Sequence, residues 1–243
     1  MRIIKNNKLK TIFHKANTRG HANHGWLEAN HSFSFANYYN IERMNFGVLR
    51  VLNDDIIAPN MGFATHPHDN MEIITIPLEG DLWHEDSMGN SSVIQEGEIQ
   101  VMSAGTGILH SEKNSNQNKY LKCLQIWVMP NKQNIEPRYD QIKIEYVINE
   151  FKQILSPNIK DEGVWIYQNA WFHLGKFDSE TKTNYIFKDE TNGLYIFVIE
   201  GDAEINNQKL EKRDAIGVWE TNKIEILASE NSKILLLEVP MEF

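Results

Sequence analysis

Short apolar runs dominate the chain, and they recur at intervals typical of β-strands. Residues 71–76, 124–129 and 194–199 are rich in β-branched and aromatic residues, and each run is bounded by turn-forming residues. Residues 149–155 carry a pattern that suits a short helix, which Pro157 would end. Many strands at regular spacing, with Gly and Asn between them, predict an all-β sandwich or barrel.

A faint internal repeat divides the chain into two halves. Residues 76–81 resemble residues 198–202, because each segment follows an apolar strand and turns at a glycine. The two glycines, Gly80 and Gly201, stand 121 residues apart, which is half of the 243 residues. The repeat predicts a duplicated β-barrel, in which residues 131–157 cross from one half to the other.

Composition and charge narrow the class of protein. Apolar residues make up 41% and charged residues 23%, as in an ordinary globular protein. The net charge of −9, without a cluster of Lys and Arg, argues against direct binding to nucleic acid. No apolar stretch reaches the length needed to cross a membrane, and the basic residues 1–8 are not followed by an apolar signal segment. These features predict a soluble, cytoplasmic protein.

The chain has one cysteine, Cys123, which excludes an intramolecular disulfide and argues against a thiolate metal cluster. Its chemistry is therefore expected from histidines and carboxylates. Among the histidines outside the motifs described next, His84 is expected to be a hydrogen-bonded turn residue. The aromatic segment around Phe35 is expected to pack rather than to bind a substrate.

Four potential metal ligands stand in two short motifs. His66 and His68 lie two residues apart in a predicted strand, so both imidazoles point to the same side. His110 and Glu112 repeat this spacing about 40 residues later, after a glycine-rich turn. If the two strands are neighbours, three imidazoles and one carboxylate meet. Four such ligands leave two octahedral positions open, which suits Fe(II), Mn, Ni or Cu acting on a bound substrate or O₂.

The same segments resemble the two motifs of the cupin family. Residues 62–80 are similar to the first motif and residues 97–110 to the second, with Ser103 where many cupins have proline. More narrowly, residues 66–68, 78–80, 84–86 and 103–112 resemble the pirin family. The bacterial branch of that family, which includes quercetin 2,3-dioxygenases, is similar in further segments. These segments are residues 24–27, 31–39, 86–90 and 125–130. The resemblance is dense from about residue 20 to 140 and diffuse beyond.

The resemblance implies an all-β bicupin, in which two antiparallel jelly-roll β-barrel domains pack together. The expected domains are an N-terminal metal-binding cupin domain over residues 1–135 and a C-terminal cupin-like domain without a metal site over residues 136–243. The sequence agrees independently, because a shift of 121 residues from the first motif meets no histidine. The one histidine after His110 is His173. The second half therefore lacks the donors for a three-histidine site.

The pirin resemblance implies the ligand set His66, His68, His110 and Glu112, with Glu112 also acting as a general base. In most cupins the carboxylate ligand is instead the glutamate of the first motif, here Glu72. Glu72 lies four residues after His68, so on a regular strand it would also point inward. If Glu112 is the ligand, Glu72 is expected to hold a ligand imidazole through its free N–H. The expected cofactor is one divalent transition metal ion, with Fe(II) first and Mn, Ni, Cu or Zn as alternatives.

The function implied by the resemblance is that of a metal-dependent dioxygenase. It would cleave the heterocyclic ring of flavonols such as quercetin with O₂ and release carbon monoxide. Its partners would be a flavonol-like aromatic substrate and O₂, and a monomer is expected. The alternative is a non-enzymatic metal-binding regulator that acts on a protein partner, as eukaryotic pirins do with transcription factors.

Overall fold

A computed structural model describes residues 9–242, which are built almost entirely from β-strands. The described residues contain 22 strands and two short 3-10 helices, Ala16–Thr18 and Ile41–Arg43. The predicted all-β class is confirmed. None of the helices in this part of the chain is long or apolar enough to span a lipid bilayer. The prediction about a signal segment concerns residues 1–8 and lies outside the described residues.

Strands follow one another along the chain with short turns between them. The first twelve are β1 Lys10–His14, β2 Gly20–Asn23, β3 Leu27–His31, β4 Leu49–Ile57, β5 Gly62–His68, β6 Glu72–Glu79, β7 Leu82–Asp86, β8 Ser91–Ile94, β9 Glu98–Ser103, β10 Ile108–Asn114, β11 Leu121–Val128 and β12 Arg138–Lys143. The other ten are β13 Phe151–Ser156, β14 Val164–Trp165, β15 Trp171–Phe177, β16 Thr181–Ile186, β17 Asn192–Glu200, β18 Ala203–Ile205, β19 Gln208–Leu210, β20 Ala215–Trp219, β21 Lys223–Ala228 and β22 Ser232–Pro240.

The chain folds into two compact units that interleave along the sequence. The N-terminal unit comprises Arg19–Glu145 and Ile154–Asn169. The C-terminal unit comprises the described residues up to Thr18, Tyr146–Gln153 and the chain from Ala170 onward. The expected boundary between residues 135 and 136 concerns the extent of the two cupin domains along the sequence, and it stays a prediction.

Two antiparallel sheets form the N-terminal unit. One has the strand order β12-β9-β6-β11-β4-β3-β2, and the other has the order β5-β10-β7-β8. Strands of the larger sheet carry most of the buried aliphatic residues, among them Leu52, Ile74 and Ile126, which are fully buried. β-branched and aliphatic residues at alternate positions explain this, because one face of each strand points into the unit.

The C-terminal unit repeats the strand neighbours of the N-terminal unit. Five of its strands lie in the order β1-β20-β17-β22-β15, and four others in the order β16-β21-β18-β19. β17 thus lies between β20 and β22 as β6 lies between β9 and β11, and β21 between β16 and β18 as β10 lies between β5 and β7. Gly80 and Gly201 follow β6 and β17 with φ of +79° and +69°, values that favour glycine. The predicted duplication of a β-barrel is confirmed.

The predicted helix over residues 149–155 is wrong. Asn149 has φ of +65°, which a right-handed helix excludes, and Phe151–Ser156 form β13. Leu155 is fully buried and pairs in parallel with Val164. Pairing with β14 has overridden a short and weak local pattern.

Candidate metal centre

The two motifs with potential metal ligands lie on neighbouring strands, as the convergence of their side chains required. β5 pairs antiparallel with β10, and His66 lies opposite His110. The register shifts between His110 and Glu112, so that Glu112 lies opposite Phe63. Gly62 permits this close approach, because a Cβ at this position would overlap with the carbonyl oxygen of Glu112.

The three imidazoles face one another at close range. The Nε2 atoms of His66 and His110 are 3.0 Å apart. The ring of His68 lies 4.8 Å from that of His66 and 4.9 Å from that of His110, measured between centroids. One ligand atom from each of the three lies within 4.8 Å of the others. Two nitrogens bound at right angles to one ion at about 2.1 Å would be roughly 3.0 Å apart, so the observed spacing fits metal ligands.

Protonation states favour the same interpretation. The Nδ1 of His66 donates a hydrogen bond of 2.8 Å to the carbonyl oxygen of Ala64, so Nε2 is the ring nitrogen that faces the cluster. Burial, together with the neighbouring imidazoles of His66, His68 and His84, lowers the pKa of His110 to about 2. Burial and His66 lower the pKa of His68 to about 4. At neutral pH the imidazoles of His68 and His110 are therefore neutral, as metal ligands must be.

Glu112 is held at this cluster by neutral hydrogen-bond donors. The Nε2 of Gln125 donates to both carboxylate oxygens at 3.3 and 3.1 Å, and the hydroxyl of Thr75 donates at 3.4 Å. Gln125 is oriented in turn by the indole N–H of Trp127, which donates to its Oε1 at 3.1 Å. Burial raises the pKa of Glu112, while His84 and Gln125 act in the opposite direction. A cation in contact with the carboxylate would favour its charged form.

His84 is a fourth histidine beside the cluster, and its predicted place in a turn is wrong. It lies at the centre of β7, opposite Glu112 on β10, and is fully buried. Its Nε2 is 3.1 Å from a carboxylate oxygen of Asp86, and its Nδ1 has no hydrogen-bond partner. Ligand atoms of His84, His110 and Glu112 lie within 4.8 Å of one another. The turn at Gly80 ends earlier than expected, so strand parity points His84 inward.

Glu72 does not hold an imidazole, contrary to expectation. Its carboxylate accepts a hydrogen bond of 2.6 Å from the hydroxyl of Ser103 and one from the backbone N–H of Tyr167. Burial raises its pKa to about 7. The reason is a turn: β5 ends at His68, Asn70 has φ of +43°, and Glu72 begins β6 in the other sheet. The even spacing from His68 therefore says nothing about its direction.

A cavity of about 590 Å³ opens beside the cluster, between the two sheets of the N-terminal unit. His66, His68 and Glu112 are part of its wall. This volume lies in the range of pockets that take small organic ligands. The remaining wall combines four aromatic residues with polar groups on β4 and β11, and Met61, Gly62 and Ala64 complete it. The aromatic members are Trp26, Phe35, Phe63 and Trp127, and the polar members are Asn53, Asp55 and Gln125.

Sequence reasoning missed most of this wall. Phe35 packs edge-on against Trp127, with ring centroids 5.3 Å apart, as expected, and it also lines the cavity, which was not predicted. Asp55 is 5% exposed, and burial together with Asp54 and Glu112 raises its pKa to about 8. The signal for Asp55 was present, since Asn53-Asp54-Asp55 interrupts an apolar strand with three polar residues in a row.

In the C-terminal unit, the corresponding positions carry apolar side chains. Leu82 and Ala203 each stand two residues after a turn glycine, so β7 corresponds to β18. Leu82 pairs with Asn114 and Ala203 pairs with Ala228, so β10 corresponds to β21. By this alignment isoleucines replace His84, His110 and Glu112. They are Ile205, Ile224 and Ile226, and all three are buried in one apolar cluster.

The repeated strand order and the histidine–carboxylate cluster of one repeat define a bicupin. The first part of the chain, residues 12–128, matches the family model described as Pirin. Residues 153–239 match a second model, described as the quercetinase C-terminal cupin domain. The chain belongs to the pirin family.

Individual relatives support this assignment over nearly the whole chain. The chain is 42% identical to quercetin 2,3-dioxygenase of Escherichia coli strain K12, over 93% of this chain and 97% of that protein. A pirin-like protein of Caulobacter vibrioides is 36% identical over 90% of this chain and 95% of that protein. The crystal structure of YhhW from Escherichia coli is similar with a TM-score of 0.91 at 40% identity, covering 96% of this chain and all of that one. A structure described as bacterial pirin YhhW in complex with nickel(II) from Escherichia coli has a TM-score of 0.90 at 40% identity. It covers 95% of this chain and 99% of that one.

Proposed function

We propose that this protein is a metal-dependent dioxygenase that opens the heterocyclic ring of flavonols such as quercetin with O₂ and releases carbon monoxide. The observation that carries the proposal is a cluster of three imidazoles, with the buried carboxylate of Glu112 close to His110, at the wall of a cavity with aromatic residues. A relative named quercetin 2,3-dioxygenase, 42% identical over most of both chains, supports the same reaction.

The proposed metal ligands are His66, His68, His110 and Glu112, on one divalent ion in the N-terminal domain. The 3.0 Å spacing of the two Nε2 atoms and the fixed tautomer of His66 support this set. Fe(II) is the proposed resident ion, and Mn, Ni, Cu or Zn are alternatives because such a donor set accepts most divalent first-row ions. Ile224 and Ile226, at the positions that correspond to His110 and Glu112, support a single site within the described residues.

An ion held by these residues would supply a Lewis acid for the flavonol and the electronic coupling that reaction with O₂ needs. The residues supply position and proton transfer. Glu112 accepts the proton of the flavonol hydroxyl that lies beside the carbonyl, and Gln125 and Thr75 hold the carboxylate for this step. The aromatic wall binds the flat rings and excludes water from the reacting anion. One carbon then leaves as carbon monoxide, and both atoms of O₂ remain in the ring-opened product.

The ligand set is tested by metal analysis of purified variants. His66→Ala, His110→Ala and Glu112→Gln are each expected to lose bound metal. Glu72→Gln is expected to keep it, which separates the pirin-type ligand from the glutamate of other cupins. His21→Ala is a matched control, because His21 is exposed and lies outside the cluster. Retention of metal in His66→Ala and His110→Ala would contradict the site.

The reaction is tested by loading the protein with Fe, Mn, Ni or Cu, verifying occupancy, and measuring quercetin consumption together with carbon monoxide. Turnover with at least one ion is expected. If no ion gives quercetin consumption, the proposed enzymatic activity is refuted. That result would favour the alternative of a metal-binding regulator with a protein partner. The cytoplasmic location and the monomeric state also stay proposals, and sedimentation of the purified protein tests the second.

A further inference from the structure

Asp55 differs from the other polar residues of the cavity wall in having an unsatisfied carboxyl oxygen. Gln125 is committed to Glu112 and Trp127, and Asn53 accepts a hydrogen bond of 2.9 Å from the Nδ1 of His31. The Oδ1 of Asp55 is buried and has no hydrogen-bond partner. The side chain lines the cavity although the residue as a whole is 5% exposed.

The neighbouring Asp54, on the same strand, differs from Asp55 because its carboxylate has a cationic partner. Asp54 precedes Asp55 on β4, and alternation along the strand points the two side chains to opposite faces. Asp54 forms an ion pair of 3.1 Å with Arg19. Buried carboxyl oxygens without a partner are rare in folded proteins, and where they occur a ligand, water or ion commonly completes them.

The surroundings of Asp55 indicate the chemical class of that ligand. Trp26, Phe35 and Phe63 belong to the same wall, so the cavity suits a flat aromatic molecule. Asp55 is absent from the groups of described residues whose ligand atoms lie close enough to share a metal ion. A carboxyl group in such a wall is matched by a phenolic hydroxyl, with which it forms a strong hydrogen bond.

We propose that Asp55 is a specificity-determining residue, whose carboxyl group hydrogen-bonds an aromatic hydroxyl of the substrate other than the hydroxyl bound at the histidine cluster. This inference rests on the proposed function, because it assigns a flavonol-like substrate to the same cavity. It goes further in predicting that the site distinguishes flavonols by the hydroxyl groups on their outer rings.

The test compares two flavonols on metal-loaded protein in the absence of O₂, so that binding is measured without turnover. Quercetin carries hydroxyls on both outer rings, whereas 3-hydroxyflavone carries only the hydroxyl beside the carbonyl. Binding is followed by quenching of tryptophan fluorescence, since Trp26 and Trp127 line the cavity. In Asp55→Leu, the Kd of quercetin is expected to rise about 10- to 100-fold, and that of 3-hydroxyflavone less than about threefold.

Two further variants separate a loss of substrate recognition from a loss of folding. Asp55→Asn retains hydrogen-bonding groups and is expected to weaken quercetin binding less than Asp55→Leu. Asp54→Asn is the matched control on the same strand, and it should leave the ratio of the two Kd values unchanged. Metal occupancy and thermal unfolding are measured for all variants. Without ligand, Asp55→Leu is expected to unfold at the same or a higher temperature, because it removes an unpaired buried carboxyl.

Equal weakening of both flavonols in Asp55→Leu would assign Asp55 a merely structural role and overturn the inference. Unchanged binding of both, or no binding of quercetin to the unaltered protein, would overturn it as well. Selective weakening of quercetin supports it even if no metal gives turnover, in which case the proposed reaction fails and the recognition of hydroxyls stands. If Asp55→Leu turns over quercetin with an unchanged KM, the proposed reaction stands and the proposed role of Asp55 fails.

Discussion

Replacing Gly62 with alanine is expected to weaken metal binding without changing any proposed ligand. Gly62 pairs with Lys113 on β10, next to the register shift at Glu112. A Cβ on Gly62 would lie 2.5 Å from the Cα of Lys113 and 2.9 Å from the carbonyl carbon of Glu112. Non-bonded carbons prefer about 3.5–4.0 Å, so the two strands must separate by roughly 1 Å.

The magnitude follows from that separation. Forcing one extra carbon into a close-packed strand pair costs about 1–3 kcal/mol of folding stability. The displacement also moves Glu112 away from His66, and loss of a group that positions a ligand typically lowers metal affinity about 10- to 100-fold. This loss corresponds to about 1.4–2.7 kcal/mol and is comparable to the strain. The left-handed backbone region plays no part, because the φ of Gly62 lies outside it.

Two measurements separate the effects. Competition with a chelator gives the metal affinity, and urea denaturation of the metal-free protein gives the stability. Thr65→Ala on the same strand is the control, because Thr65 is exposed and the change removes atoms instead of adding them. Wild-type affinity in Gly62→Ala, or an equal loss in Thr65→Ala, would refute the reasoning that strand separation positions Glu112.

Three more predictions concern the groups behind the site and the other unit. Gln125→Leu should lower metal affinity about 10- to 100-fold by freeing Glu112, and an unchanged result in chelator competition would contradict this. Glu238 is fully buried and accepts hydrogen bonds from four side-chain and backbone donors in the C-terminal unit. Glu238→Gln turns one acceptor into a donor and leaves buried donors unsatisfied, so it should cost about 1–3 kcal/mol in urea denaturation while metal content stays unchanged. Burial lowers the pKa of His173 to about 4, so between pH 6.5 and 4 the unfolded chain binds a proton that the folded chain does not. Stability should therefore decrease as the pH is lowered from 6.5 to 4, with His173 contributing up to about 1.4 kcal/mol per pH unit. In urea denaturation at several pH values, His173→Phe should remove this contribution and leave those of His68 and His110.

Sequence reasoning could predict the histidine cluster because its geometry is local. His66 and His68 follow the two-residue period of one strand, and His110 lies on the next motif, so only the pairing of two strands had to be assumed. The duplicated barrel was predictable for a similar reason. Gly80 and Gly201 mark equivalent turns that need positive φ, and this requirement leaves a trace in the sequence.

The rest of the site depends on pairings that no local pattern encodes. Asp55 and Gln125 reach the cavity because β4 and β11 pair over a long sequence separation. Turn lengths caused the two errors of direction. Three residues between β5 and β6 reverse the expected orientation of Glu72, and the short turn at Gly80 places His84 inside the unit. Parity arguments hold within one strand and fail across a turn of unknown length.

The two units show that one strand order can serve two different interiors. In the C-terminal unit, Ile205, Ile224 and Ile226 fill the space between strands, and their burial stabilises the fold directly. In the N-terminal unit, the matching positions hold His84, His110 and other polar groups, and both of these histidines have a buried Nδ1 without a partner. Such an interior is unfavourable when it is empty, because buried donors and acceptors lose their contacts with water. An ion that binds only the folded unit stabilises it by mass action, so metal removal should destabilise the N-terminal unit in particular.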